Sequence, residues 1–382
     1  MFKVKIISME PTPSPYTMKI NVDETLADGQ TENYRLEDDL SEAPEYMQQL
    51  FAIEGVKGIY RVVDFIALER HPRVAWEKIL PEVRNVLGSD EETSELFSKA
   101  VTETEPMYGE VNVLIQMIRD IPTQVKLQDG DEKQRFALPE RFMNAAMEAA
   151  SASDNYLLER KWVEQSPRYG KMEEIGKEVV EELAATYSEE RLKELLNHAL
   201  NNEAPIEQPR KKVTLEMLED PDWRNRYAAL DQMTDPTEAD YPVLDKALED
   251  EHSSIRRLAT AYLGMIEKKE TLPYLYKALK DKSVNVRRTA GDCLSDLGFK
   301  EAIPEMMKTL DDKSRIVRWR AAMFLYEVGD ETAIPALRKA LDDPEFEVRM
   351  QAKMALARIE AGKKAEGSIW QQMAEATKDS QK

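Results

Sequence analysis

Cysteine is almost absent: Cys293 is the only one in 382 residues. One thiol cannot close an internal disulfide, nor supply the paired thiolates of a Cys-x-x-Cys metal or redox site. Histidine is scarce as well, and His71, His198 and His252 stand too far apart to spell a metal motif. No apolar run approaches the ~20 residues of a membrane span. The start, Met1 to Glu10, breaks its apolar residues with Lys3 and Lys5 and reaches an acid too early for a signal peptide. A cytoplasmic chain is the expectation. A glycine-rich phosphate loop is missing too, and no local signature sets a base beside a serine, threonine or cysteine nucleophile. These absences predict a non-enzyme without cofactor.

Charge of one sign is in short supply. Asp and Glu number 73 against 53 Lys and Arg, a formal net charge of −20. Residues 89–210 hold most of the excess, with 26 acidic and 14 basic side chains, whereas 211–382 carry 32 and 29. Such a field repels phosphate backbones and anionic headgroups, which argues against general nucleic-acid or membrane binding. The runs Glu173-Glu174, Glu181-Glu182 and Glu189-Glu190 read as a solvated helix face.

What is present is a long period. Pro242, Pro273, Pro304 and Pro335 return every 31 residues, as do Asp250, Asp281, Asp312 and Asp343, and Arg256, Arg287, Arg318 and Arg349. Asp220 and Arg226 add an earlier copy without the proline, giving five copies over about residues 211–365. Each copy reads as a short helix with proline in its first turn, a turn at the aspartate, and a longer helix. In the copy around Pro273, Ser283 is placed to cap the second helix, and Val286, Ala290, Leu294 and Leu297 share a face that ends at Gly298. The pattern resembles HEAT-type repeats of the short kind found in phycobilisome lyases, so an all-α solenoid is expected. Cys293 shares an apolar column with Tyr262, Phe324 and Ala355 and reads as a buried core thiol.

The first 88 residues differ. Val4 to Ile7 and Tyr16 to Val22 read as strands joined by the stiff Glu10-Pro11-Thr12-Pro13-Ser14-Pro15. An acidic loop comes next, then a helix over 43–54 stopped by Gly55, a hairpin over 55–69, and a helix over 76–87 ended by Gly88. With the blocks Leu50-Phe51, Ile53 to Ile59, Asp64-Phe65-Ile66 and Trp76, this stretch resembles the N-terminal domain of the Nfu/NifU scaffold proteins of iron–sulfur cluster assembly. Cluster carriage in that family lies in a separate Cys-x-x-Cys domain. The resemblance therefore implies an interaction domain without a cluster.

Residues 108–200 repeat a coarse β-β-α-β-α plan, with strands over 111–118, 121–127 and 157–164 and helices over 139–150 and 172–187. An offset of 95 lays Pro44-Glu45 on Pro139-Glu140 and Glu69-x-x-Pro72-Arg73 on Glu164-x-x-Pro167-Arg168, which suggests a duplication. Taken with Arg119-x-Ile121-Pro122-x-Gln124-Val125-Lys126, the run Leu158 to Gln165, Arg168-Tyr169-Gly170 and the repeats, nearly the whole chain resembles the conserved virulence factor C family. The expected domains are 1–88 (Nfu-like), 89–210 (a second α+β domain), 211–365 (repeats) and a tail over 366–382, where Ile369 and Trp370 could cap the stack.

Two readings attach to the repeat columns. The aspartates and arginines, Asp220 to Asp343 and Arg226 to Arg349, form a structural ladder of charge-assisted hydrogen bonds. The next column, Arg257, Arg288 and Trp319, with Arg320 beside it, is a candidate recognition strip on the concave face. Arg73 and Arg168 are either solvated arginines or paired sites for an acidic partner. The resulting expectation is an adaptor that binds protein partners through an Nfu-like head and a HEAT-like arm, linked to iron–sulfur assembly and virulence regulation. The alternative is an enzyme holding its ligand on the concave face, lyase-like or DNA-repair-like. Oligomeric state is left open.

Overall fold

The structure is a computed structural model that describes residues 4–12, 14–27, 30–41, 43–88, 110–152, 155–201 and 210–362. The tail over 366–382, with Ile369 and Trp370, and the first part of the expected second domain lie outside the described residues. Five antiparallel strands open the chain: β1 (Ile6–Pro11), β2 (Thr17–Val22), β3 (Thr31–Arg35), β4 (Val56–Val62) and β5 (Phe65–Arg70), in the order β1-β2-β5-β4-β3. Alternation drives them: Met18, Ile20 and Val22 face the core while Lys19 and Asn21 face out. The helices α1 (Glu45–Phe51) and α2 (Trp76–Leu87) cover the apolar face through Met47, Leu50, Ile79 and Val83. Gly55 ends the α1 segment at φ +96°, where an added Cβ would fall 2.6 Å from Val74, so glycine is required by both backbone and space.

The expected acidic loop contains β3. Its residues Thr-Glu-Asn-Tyr-Arg alternate only between exposed and half-buried, so no apolar period announces it, and its order comes from main-chain pairing of Asn33 with Tyr60 on β4.

The second sheet has β6 (Glu110–Ile118), β7 (Ile121–Asp129), β8 (Glu132–Ala137) and β9 (Lys161–Tyr169) in the order β8-β7-β6-β9. Three helices, α3 (Glu140–Ala150), α4 (Met172–Thr186) and α5 (Glu189–Leu200), supply its core with Phe142, Ile175, Val179 and Leu195. β8 is absent from the expected plan, and the strand expected over 157–164 lies later, since Tyr156–Glu159 is a helical turn and β9 runs from Lys161 to Tyr169. The β8 hairpin turns at Gly130, φ +59°, between the paired Asp129 and Glu132. Phe136 of β8 packs so closely on α4 that a Cβ at Gly176 would fall 2.3 Å from the ring.

Of the two landmarks of the 95-residue offset, one coincides. Pro44 and Pro139 each precede a helix with nearly the same backbone angles, φ −51° and −50°. The other differs: Pro72 and Arg73 follow β5 in a turn, whereas Pro167 and Arg168 remain inside β9.

The rest is helical: α6 (Trp223–Asp231), α7 (Tyr241–Leu248), α8 (Ser253–Met265), α9 (Leu272–Ala278), α10 (Val284–Leu297), α11 (Ile303–Thr309), α12 (Arg315–Glu327), α13 (Ile334–Ala340) and α14 (Phe346–Glu360). Each repeat proline occupies the first turn of a short helix, where its missing N–H costs nothing. Val286, Ala290 and Leu294 are fully buried on α10, and Gly298 closes it in the left-handed conformation.

The described residues form two compact units, those within 4–88 together with 300–362, and those within 110–299. The first sheet thus shares a core with the last repeats: Phe346 and Met350 of α14 belong to the same apolar cluster as Met18 and Trp76. The second sheet shares its unit with the earlier repeats.

Arginine forks connect consecutive copies. Arg226 donates from Nε and Nη2 to the Asp250 carboxylate at 2.7 and 3.0 Å, and from Nη1 to the carbonyl of Asp220 at 2.8 Å. Arg256 does the same to Asp281 at 2.6 and 3.0 Å and to the Asp250 carbonyl at 2.8 Å. Arg318 repeats it with Asp343 and the Asp312 carbonyl. Arg287 donates to the Asp281 carbonyl at 2.8 Å. In these three forks the guanidinium takes the main chain of its own copy and the carboxylate of the next. The aspartates also accept main-chain N–H groups two residues on, such as Ser283 to Asp281 at 2.7 Å. This corrects the expected Ser283 cap: the hydroxyl makes no capping bond, and the side-chain contact at this turn runs from the Ser283 N–H to the Asp281 carboxylate.

Replacing Arg256 by alanine strands a nearly buried carboxylate and is expected to cost about 3–5 kcal/mol in urea unfolding. The double variant R256M/D281N, which strands no charge, is expected to recover much of that loss. A double variant as unstable as the single one would contradict this account.

Candidate interaction surface

The column after the ladder arginines faces inward. Arg257 and Arg288 are nearly buried, Trp319 is 1% exposed and Arg320 is 6% exposed. The same 31-residue step reaches Met350, which lies in the core shared with the first sheet. The candidate recognition strip is therefore enclosed within the two units as folded.

In the second unit the enclosing partner is charged. Glu182 of α4, 6% exposed, receives Arg168 of β9 at 3.1 Å on one oxygen and Arg257 of α8 at 3.5 Å on the other. Burial pushes the Glu182 carboxyl up, but the two guanidinium groups and the Ser254 hydroxyl outweigh it and hold the group below the usual carboxylate range. Burial and the neighbouring Arg257 lower the Arg168 guanidinium, which nonetheless stays charged at any working pH. Glu178, one turn earlier, accepts from the hydroxyls of Ser253 and Ser254 at 3.2 and 3.0 Å. Tyr227, buried beside the cluster, has its phenol pushed well up by burial and by Glu182. Further along, Arg288 stacks over the Tyr169 ring at 5.4 Å, and the Tyr169 N–H donates to Asn285 at 2.8 Å.

The first unit uses the same chemistry at the end of the repeats. Arg70, fully buried between the rings of Tyr16 and Trp76, donates to Glu347 of α14 at 2.7 Å and to the carbonyls of Pro72 and Val74. Arg349 is the last ladder arginine. It takes the Asp343 and Pro344 carbonyls at 2.8 Å, and its Nη2 reaches Glu77 of α2 at 3.2 Å. Glu77 thus stands where a further copy would present aspartate. Burial and the nearby Glu347 push the Glu77 carboxyl up.

Arg73 and Arg168 part company. Arg73 is exposed on the turn after β5, its main-chain N–H donating to His71 Nδ1 at 3.2 Å, while Arg168 is enclosed with Glu182. Cys293 is half-buried against Gly264, not fully buried as expected, and its thiol lies 3.5 Å from the Thr260 carbonyl. Among the described residues no three His, Cys, Asp or Glu side chains come together as a metal site, and no helix is long and apolar enough to cross a membrane. Sequence reasoning missed Arg70, Glu77, Glu182 and Glu347. It missed Arg61 as well, 2% exposed and tied to the Tyr46 hydroxyl and Glu24. No spacing marks an arginine that points into a core, so these contacts appear only with the fold.

The Glu182 cluster predicts a pH dependence. A carboxyl lowered on folding contributes stability that is complete above its unfolded value of about 4.3 and is lost as pH falls through the lower folded value. Between about pH 5 and 3, wild type should lose stability more steeply than E182Q. Parallel urea midpoints across that range would refute the assignment.

Three family models match in order along the chain: the N-terminal part of the scaffold protein Nfu/NifU over residues 7–93, a virulence factor model over 116–196, and HEAT repeats over 212–289 and 272–357. The Bacillus subtilis protein YpgR is 53% identical over 273 residues, 70% of this chain and 71% of that protein. Conserved virulence factor C of Staphylococcus saprophyticus is 43% identical over 275 residues, 71% of this chain and 72% of that protein. A crystal structure of the Staphylococcus aureus protein SAV1430 is 36% identical, covers 22% of this chain and 96% of its own, and gives a TM-score of 0.20. By identity and coverage, this chain of two α+β pieces and HEAT repeats belongs to the conserved virulence factor C family.

Proposed function

We propose that the chain is a non-catalytic cytoplasmic adaptor in which the repeats hold the α+β pieces as presented recognition surfaces. The observation that carries this reading is the enclosed column: Arg257, Arg288 and Met350 are spent on the chain's own sheets and helices, through Glu182, Tyr169 and the first core. A scaffold that fixes its recognition pieces by buried charge limits the orientations in which a partner meets them. Arg168, Arg257, Arg288, Trp319 and Arg320 then serve as internal fasteners, and Arg73, on an exposed turn, is the candidate partner contact of the head. The working domain boundaries are 1–88, 89–210, 211–365 and 366–382.

The Nfu/NifU likeness of residues 7–93 extends the proposal to iron–sulfur assembly as recognition of assembly proteins, with virulence as the downstream process. Carriage of a cluster is not part of it, since Cys293 is the only thiol and thiolate ligation takes several.

Tagged wild-type protein and R73E, recovered from a bacterium that encodes the chain, supply the test. A stoichiometric protein partner is expected on wild type and about tenfold less of it on R73E. No partner on either, together with chemical turnover by the pure protein, would overturn the adaptor reading. Anaerobic reconstitution should leave the monomer without stoichiometric cluster absorption, and a cluster on the monomer would remove the recognition-only role.

A further inference from the structure

One face of the second sheet packs on α3, α4 and α5, and the register assigns the opposite face without ambiguity. Lys126 of β7 pairs directly with Arg135 of β8, and Gln128 pairs with Lys133. These residues alternate with the core-facing Val125, Leu127 and Phe136, so the three cations share the open face. Lys133 and Arg135 are exposed and Lys126 is half-buried. Like charges directly opposite across a strand pair are destabilising. Lys126 leans away toward β9, its ammonium 4.3 Å over the Trp162 ring. Burial, then Lys133 and Arg135, lower the Lys126 ammonium.

Lysine and arginine on an outer strand can serve simply to discourage aggregation. That purpose does not account for Lys126, which sits on an interior strand and adds its repulsion to the pair outside it. The cluster also runs against a chain of net charge −20, and against residues 89–210 in particular. A concentrated positive patch in an acidic protein, maintained at a cost, calls for an anionic occupant.

β8 is the outermost strand of its sheet among the described residues, and alternate residues of such a strand direct N–H and C=O groups outward. Lys133 and Arg135 are two residues apart, about 7 Å along the strand, the spacing of alternate side chains in an extended peptide. We infer that an extended acidic segment of a partner protein adds to the edge of β8 and sets alternate carboxylates beside Lys133 and Arg135. Its intervening side chains fall on the side of Phe136, which packs on α4, so the segment should read acid, apolar, acid. Nucleic acid fits less well: three cations neutralise few phosphates, and the remaining field of the chain repels a polyanion. The inference deepens the adaptor reading and rests on it only for its role in the cell.

The test uses the full chain and a labelled peptide, acetyl-Glu-Val-Glu-Val-Glu-Val-amide, followed by fluorescence anisotropy. Binding should weaken with salt and fall about tenfold in K133Q/R135Q, while K339Q, a surface change in the other unit, binds as wild type. Circular dichroism establishes that the variants are folded. Hydrogen exchange should show the amides of β8 protected when the peptide is present. Equal binding by wild type and K133Q/R135Q, unchanged exchange in β8, or an oligo(dT) strand that binds more tightly than the peptide would each overturn the inference. None of those results bears on the partner captured through Arg73, so the two readings fail separately.

Discussion

A guanidinium removed from water must find acceptors for five N–H bonds, and most of this fold depends on how the repeat arginines find theirs. Arg226, Arg256 and Arg318 divide their donors between the main chain of one copy and the carboxylate of the next. The bond crosses the boundary between copies, so neither copy satisfies its own charge. A helix pair of this size buries too little apolar surface to stand alone, and the fork adds a directional constraint that apolar packing lacks. The aspartate also holds the N-terminal turn of the next helix through a main-chain N–H, so one carboxylate sets both the spacing of copies and the start of a helix.

The ladder has an end, and Glu77 occupies it. Arg349 finds no aspartate beyond it in the period, and a glutamate from α2 accepts from its Nη2 instead. Beside it, Arg70 and Glu347 join β5 to the same repeat helix. Charged contacts of this kind contribute little net stability once desolvation is counted, but a misplaced docking leaves a buried charge unpaired, which costs several kcal/mol. Apolar burial by Phe346 and Met350 supplies adhesion, and the ion pairs restrict it to one geometry.

How much of this was legible depends on whether a feature leaves a period in the chain. The 31-residue step located every repeat helix, because the proline, aspartate and arginine each have a fixed local task. Alternation located β2, β4, β5, β6 and β7. The strands that escaped, β3 and β8, carry mostly polar residues at a sheet edge and are held by main-chain bonds that sequence does not encode by side-chain pattern. For β8 a signal exists in Asp129-Gly130, a pair suited to a tight hairpin, but the polar run from Asp131 to Arg135 shows no apolar alternation beside it. The docking carboxylates Glu77, Glu182 and Glu347 lie on helices that carry other charged residues, so composition gave no reason to separate them from the solvated Glu173 and Glu189.

The column of Arg257, Arg288, Trp319 and Met350 shows why the period misled about exposure while being right about register. Residues at one position of successive repeats share a side of the stack, and in a bare array that side would meet solvent. Here its chemistry changes copy by copy with what covers it. Arg257 meets the Glu182 carboxylate, Arg288 meets the Tyr169 ring, and Met350 enters the apolar core beneath the first sheet. A position that must fit a different neighbour in each copy cannot keep one residue type, whereas Arg226, Arg256 and Arg318 each meet an aspartate of the next copy and stay arginine. Variation within a strict period is therefore itself a structural signal: the invariant columns hold the repeats to one another, and the varying column marks where something other than a repeat is bound.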